Sequence, residues 1–375
     1  MSNAGIPEDL SAKVLLVGEY FNDSAHGGIA AVLRYYRPYF PKFRFVASHR
    51  SSKFSDKLRY DLGGLFKMSA ILLWNRISGG DMRLVHIHTA AGGSFRNHQY
   101  YVHAAKLLGY KVVLHSHASS FEGWFASSTE RGRRSILKTL NGVDRLVVLS
   151  ESWKRWFIGI GVSDMGGRIT VLNNIAEPPA EPFVKPVRGN APRELLFLGE
   201  IGPRKGLFDV VDSIAEHRSG LAGKMVLRVG GNRNVRQLLD AIEDKNLSGL
   251  VEYEGFVSGE KKRELLRNAD ALILTSYNEG LPISILEAMS YGDAVISTPV
   301  GGIPEVVDAT NGILVAPGDR NAIYDAVLRI VSMPEDELRA MGAAGRKKAE
   351  PFWPEHVMNS LAAIYSSVIQ GEKED

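Results

Sequence analysis

The sequence predicts an α/β protein made of two doubly wound, Rossmann-like domains that face a cleft. Short β-branched runs alternate with amphipathic stretches along most of the 375 residues, the pattern of a parallel sheet covered by helices. The alternation breaks once, at "EPPAEPFVKPVRGNAP" (Glu177–Pro192), whose five prolines and lack of periodicity describe an extended connection. A chain of this length also suits two domains better than one.

In the first series the strand candidates are "KVLLVGEY" (Lys13–Tyr20), "RLVHIHT" (Arg83–Thr89), "KVVLHSH" (Lys111–His117), "RLVVLS" (Arg145–Ser150) and "RITVLNN" (Arg168–Asn174). Amphipathic segments such as "NHQYYVHAAKLLG" lie between them. The second series runs through strands at Glu194–Gly202, Lys224–Gly231, Val251–Val257, Asp270–Ser276, Asp293–Thr298 and Asn311–Pro317. Its helices are expected at Leu207–Glu216, Arg236–Lys245, Gly259–Asn268, Ile283–Tyr291, Ala322–Ser332 and Glu335–Ala349, and a final apolar stripe runs over Pro354–Ile369.

Composition narrows the class. Apolar residues make up 45% and charged residues 23%, as in ordinary globular proteins rather than disordered or fibrous ones. There is no cysteine, so disulfide and thiolate chemistry are excluded and a reducing cytoplasm is expected. The start "MSNAGIPEDL" lacks the basic and apolar parts of a signal peptide, and no apolar run is long enough to span a bilayer. The net charge of +3 is unevenly shared: residues 1–177 carry 23 Lys+Arg against 13 Asp+Glu, and the remainder 22 against 29. A basic half can face anionic lipid, glycan or nucleic acid, or simply water. No nucleic-acid-binding module is visible, and none is expected to bind. "LRYYRPYFPKFRF" (Leu33–Phe45) and "WKRWFIGIG" (Trp153–Gly161) mix aromatics with cations. They fit either peripheral contact with an anionic membrane or core aromatics with a solvated rim.

Four loops carry the candidate chemistry. In "FLGEIGPRKGL" a strand ends in a Gly/Pro turn, and Arg204–Lys205–Gly206 opens a helix. Backbone N–H groups, the helix dipole and two cations converge there on an anion site. In "NEGLPISILEAM" (Asn278–Met289) amides near Gly280, Leu281 and Ile283 are expected at a helix N-terminus, with Glu279 before it and Glu287 inside the helix. "STPVGGIPEVV" (Ser297–Val307) and "HGGIAAV" (His26–Val32) repeat the strand-to-helix turn with glycines. The spacing matches neither a P-loop nor G-x-G-x-x-G. The strand pairs His86/His88 and His115/His117 each share a face, but two ligands make no metal site, and no metal is expected.

Together these residues make the chain resemble glycosyltransferase family 4, the retaining sugar-nucleotide transferases (glycosyl transferases group 1) of GT-B fold. The matching features are Gly27–Gly28 after the first strand, "HIH" and "HSH", "RKG", the E-x7-E of Glu279 and Glu287, and "GGIPEVV", over roughly residues 13–320. The resemblance implies an acceptor-binding domain over 1–177, a linker over 178–192 and a nucleotide-sugar donor domain over 193–352. It also implies a helix over 353–375 that packs back on the first domain. It implies that Arg204 and Lys205, with amides of Gly280, Leu281, Ile283 and Gly302, hold the donor diphosphate, and that Glu287 holds the ribose. Glu279 and His117 would contact the donor sugar; His117, Lys205 and Glu279 form the catalytic set. Gly27 and Gly28 would let acceptor or phosphate approach the backbone.

The function implied is metal-independent, retaining transfer of a sugar from a nucleoside-diphosphate donor to a hydroxyl of a glycan, lipid-linked or small acceptor. UDP is expected before GDP or ADP, with no cofactor besides the substrate, in the cytoplasm or at the inner face of the cell membrane. One departure is Glu200, where the family often has an arginine; the arginine's role would pass to Arg204. A sugar-nucleotide epimerase and a non-catalytic nucleotide-sugar-binding subunit remain the alternatives.

Overall fold

The computed structural model describes residues 5–21, 28–49, 57–117, 119–189 and 191–371. The chain divides into two units, one of Met1–Ile175 with Pro354–Asp375 and one of Ala176–Trp353.

In the first unit six parallel strands form one sheet: β1 (Val14–Glu19), β2 (Phe45–His49), β3 (Leu84–Thr89), β4 (Lys111–Ser116), β5 (Arg145–Val148) and β6 (Ile169–Val171), in the order β2-β1-β3-β4-β5-β6. Side chains alternate across a pleated sheet, and the two faces differ here. Leu15, Val17, Val85, Ile87, Val112, Leu114, Leu146 and Val148 join Met68, Leu72, Tyr101, Phe121 and Phe157 in one core. The opposite face carries His86, His88 and His115, all at most 1% exposed. Helix Pro354–Gln370 contacts β3 and β4. Its buried Val357, Met358, Leu361, Ile364, Tyr365 and Val368 form one helical stripe. It is fastened by Tyr365 to His86 (2.6 Å) and by the Arg145 guanidinium, which donates to Ser367 Oγ at 2.7 Å.

β2 was not among the sequence candidates. Its burial alternates between half-buried and buried residues over five positions, and its charged neighbours hide so short an edge strand. The aromatics of Leu33–Phe45 and Trp153–Gly161 divide in favour of the core: Tyr36, Phe40, Trp153 and Phe157 are buried.

The second unit holds β7 (Arg193–Glu200), β8 (Met225–Asn232), β9 (Val251–Gly255), β10 (Ala271–Leu274), β11 (Ala294–Ser297) and β12 (Gly312–Leu314). All are parallel, in the order β12-β11-β10-β7-β8-β9. The order reverses between β7 and β10, the switch point beyond which doubly wound sheets open a crevice. The helices Leu207–Glu216, Gly259–Asn268, Ile283–Tyr291 and Glu335–Ala349 begin and end where the sequence places them.

Residues 178–192 are not a free linker. The Lys185 ammonium donates to the carbonyls of Leu266 and Ala269, both at 2.7 Å, and pairs with buried Asp293. Arg188 pairs with Asp270 (3.0 Å) and Glu194 (3.3 Å). The prolines keep this strand of chain extended while its two cations strap it to the second unit.

Candidate functional site

The site residues of the second unit gather at the carboxyl ends of β7, β10 and β11, which are neighbours in the sheet. Three loops meet there and are sewn together. After β7 the chain makes a 3-10 turn at Pro203–Lys205 and reaches Gly206 at φ +70°. A Cβ on Gly206 would lie 2.1 Å from the Thr275 carbonyl oxygen, so only glycine fits. The Tyr277 N–H donates to the Arg204 carbonyl at 2.9 Å, and the Arg204 guanidinium donates to the Asn278 carbonyl at 3.1 Å. The third loop joins through Thr298, whose hydroxyl donates to the Ser276 carbonyl at 2.6 Å.

Glu279 is the node. It is 6% exposed, and its Oε1 accepts from Lys205 Nζ at 2.5 Å and from Ser276 Oγ at 2.8 Å, with Arg204 Nη1 at 3.6 Å. A buried carboxylate is tolerated only with such partners. Lys205 and Glu279, expected to grip separate parts of one ligand, are thus an ion pair. Glu287 sits inside helix Ile283–Tyr291, is 5% exposed and pairs with Lys262 Nζ at 2.5 Å.

The helix Ile283–Tyr291 starts after Pro282 with no side-chain cap; the Ile285 N–H donates to the Pro282 carbonyl at 3.2 Å, and the Ile283 N–H, at the first helical position, lies at the positive end of the dipole. Gly280 and Leu281 lead into it, both buried. Gly302 departs from expectation. Its N–H donates to the Gly280 carbonyl at 2.7 Å, because Gly301 at φ +57° folds the third loop onto the second. That amide stitches the two loops together. Glu200 accepts from Arg233 Nη1 at 3.3 Å, so its charge is partnered.

In the first unit His117 follows β4, and its Nε2 lies 2.9 Å from Nδ1 of His88. Loss of water around the ring pushes His117 down to about 3, so at physiological pH it is a neutral hydrogen-bonding group. Gly28 opens helix Gly28–Tyr36, exposed, and a Cβ there would meet nothing within 4 Å. Among the described residues, packing therefore does not require glycine at this position. Gly27 lies outside the described residues.

Sequence reasoning missed Lys262, Ser276, Arg233 and His88 as partners of Glu287, Glu279, Glu200 and His117. Only His88 left a signal, the repeated H-x-H on strands that become neighbours; the others depend on loops that meet in space.

Two parallel doubly wound sheets with flanking helices define a GT-B fold. Residues 181–348, nearly the whole second unit, match the family model "Glycosyl transferases group 1". The chain is 30% identical over 195 residues to a colanic acid biosynthesis glycosyltransferase, WcaL, of Escherichia coli, covering 49% of this chain and 48% of WcaL. It is 24% identical over 262 residues to a glycogen synthase of Mycobacterium tuberculosis, covering 68% of this chain and 62% of the relative. The chain thus spans about half to two thirds of these curated relatives. The crystal structure of Anabaena HepE with UDP and glucose superposes with a TM-score of 0.73 at 16% identity, over 95% of this chain and 100% of that one.

Proposed function

We propose that this protein transfers a sugar, with retention and without a metal, from a nucleoside-diphosphate donor to a hydroxyl of a glycan or lipid-linked acceptor. The observation that carries the reading is the Lys205–Glu279 pair at the stitched carboxyl edge of β7, β10 and β11, inside the family match. Donor binding exchanges that pair for contacts with the donor. Lys205 and Arg204 turn to the diphosphate, joined by the amides of Gly280, Leu281 and Ile283, and Glu279 turns to sugar hydroxyls. Departure of the nucleoside diphosphate is then stabilised by fixed positive charge, which is the costly part of the reaction. Glu287, exchanging Lys262 for the ribose diol, is the nucleoside grip. UDP is the nucleotide we favour, on the likeness to HepE, whose structure contains it.

A lipid-linked acceptor brings the protein to an anionic cytoplasmic membrane face. The surface that supports this is helix Gly63–Ile77, which exposes Phe66, Leu73, Trp74 and Ile77 beside Lys67. No described helix is long and apolar enough to cross a membrane.

Incubation with UDP-, GDP- and ADP-sugars, followed by thermal shift and product analysis, tests the reading. A UDP-sugar is expected to raise Tm and to be consumed in the presence of an acceptor. Absence of stabilisation by every donor would overturn it.

A further inference from the structure

The two H-x-H pairs look like separate features in the sequence, each too small to hold an ion. The fold joins them. β3 and β4 are neighbours in a register that sets His88 opposite His115, with His86 two residues away on the same face. One ring nitrogen from each of the three lies within 4.8 Å of the others. All three side chains are at most 1% exposed, under a layer that includes Tyr36 and Tyr365. His86 Nε2, His88 Nε2 and both ring nitrogens of His115 have no hydrogen-bond partner among the described residues. Buried polar atoms left in that state are uncommon in folded proteins, and each calls for a cause.

We propose that His86, His88 and His115 form a buried site for one transition-metal ion of borderline softness, of which Zn2+ is the type. The nitrogens that do have partners support it. Nδ1 of His86 lies 2.6 Å from the Tyr365 phenol oxygen, and Nδ1 of His88 lies 2.9 Å from His117 Nε2. With the proton on Nδ1 of each, the tautomer that ligation selects, the lone pair of Nε2 is free and each contact becomes the outer-shell bond that orients metal-ligating histidines. Three neutral imidazoles with no thiolate suit Zn2+, Co2+, Ni2+ or copper rather than Mg2+ or Ca2+. The rings are close to parallel, 8° apart for His86 and His115 and 31° for His86 and His88. Ligation therefore turns them about their Cβ–Cγ bonds until their nitrogens converge. The site is buried and its role is structural: it ties β3 to β4 and, through His86 and Tyr365, to helix Pro354–Gln370. It takes no part in sugar transfer, so its failure would leave the proposed function standing.

The test uses the full-length protein, stripped with a chelator and titrated with Zn2+ and, separately, with Co2+. Expected are one metal per chain, cobalt d–d bands of nitrogen coordination, a higher Tm on loading, and an anomalous-scattering peak among the three imidazoles in crystals of the loaded protein. His115→Asn and His88→Asn should each weaken binding at least tenfold, while the exposed-site changes His103→Asn and His356→Asn leave it unchanged. No stoichiometric uptake, equal affinity in His115→Asn, or a peak elsewhere would overturn the proposal. Should the buried variants not fold, the anomalous map of the unaltered protein decides by itself.

Discussion

At the scale of single residues, the candidate donor site is a set of charges already satisfied by one another. Lys205, Glu279 and Ser276 share one carboxylate oxygen, and Glu287 is matched by Lys262. Removing one member leaves a buried partner uncompensated, which costs more than the contact contributed. Lys205→Ala should therefore weaken donor binding by about 1.5–3 kcal/mol, seen by calorimetry as a ten- to hundredfold rise in Kd. An unchanged Kd would remove Lys205 from the diphosphate. Glycine carries the shape of the same site at two places. Gly301→Ala would put a Cβ 2.0 Å from the Glu279 carbonyl oxygen at φ +57°, so the loop must open. The expected cost is about 2 kcal/mol or more, read in a urea titration, together with reduced donor affinity. If Gly301→Ala binds donor normally, the stitched loops are not what positions Glu279.

At the scale of elements, helix Pro354–Gln370 belongs with the first unit although the whole second unit precedes it in the chain. Its stripe of apolar side chains against β3 and β4 is what holds it. Leu361 is fully buried, so Leu361→Ala should destabilise by about 2–5 kcal/mol, measured in the unfolding of the first unit. A change below 0.5 kcal/mol would mean that the stripe does not dock. The strap at residues 178–192 behaves likewise. Periodicity and prolines made it look unattached, and two cations meeting carbonyls and carboxylates across more than 70 residues attached it.

At the scale of the whole molecule, the two units should respond to acid in opposite senses. His98 in the first unit is buried, hydrogen-bonded to Ser48 and Thr89, and pushed down to about 3. Folded, it stays neutral below the ordinary histidine range, whereas unfolded it binds a proton near pH 6.5. Its contribution is therefore complete above that pH and is lost as pH falls, by about 1.4 kcal/mol at pH 5.5. Asp293 in the second unit is raised to about 7, burial outweighing the Lys185 charge. Its folded carboxyl keeps a proton that the unfolded one releases, so the second unit gains as pH drops through 7. Four of the five tryptophans (Trp74, Trp124, Trp153 and Trp156) lie in the first unit. The tryptophan-detected urea midpoint should therefore fall between pH 7.5 and 5.5. A midpoint that rises over that interval would contradict the burial of His98.

The sequence by itself determined the two sheets, the positions of every strand but β2 and of the main helices of the second unit, and the loops that carry Arg204, Lys205, Glu279 and Glu287. Each of these is written in local periodicity, turn chemistry and short motifs, which act within a few residues. Only the tertiary structure decided that Lys205 meets Glu279, that Lys262 meets Glu287, that Gly302 spends its amide on Gly280, and that His115 comes to lie beside His86 and His88. Those contacts join residues up to 74 positions apart, and what brings them together is strand order and register, set by burial of two separate cores rather than by any local run of sequence.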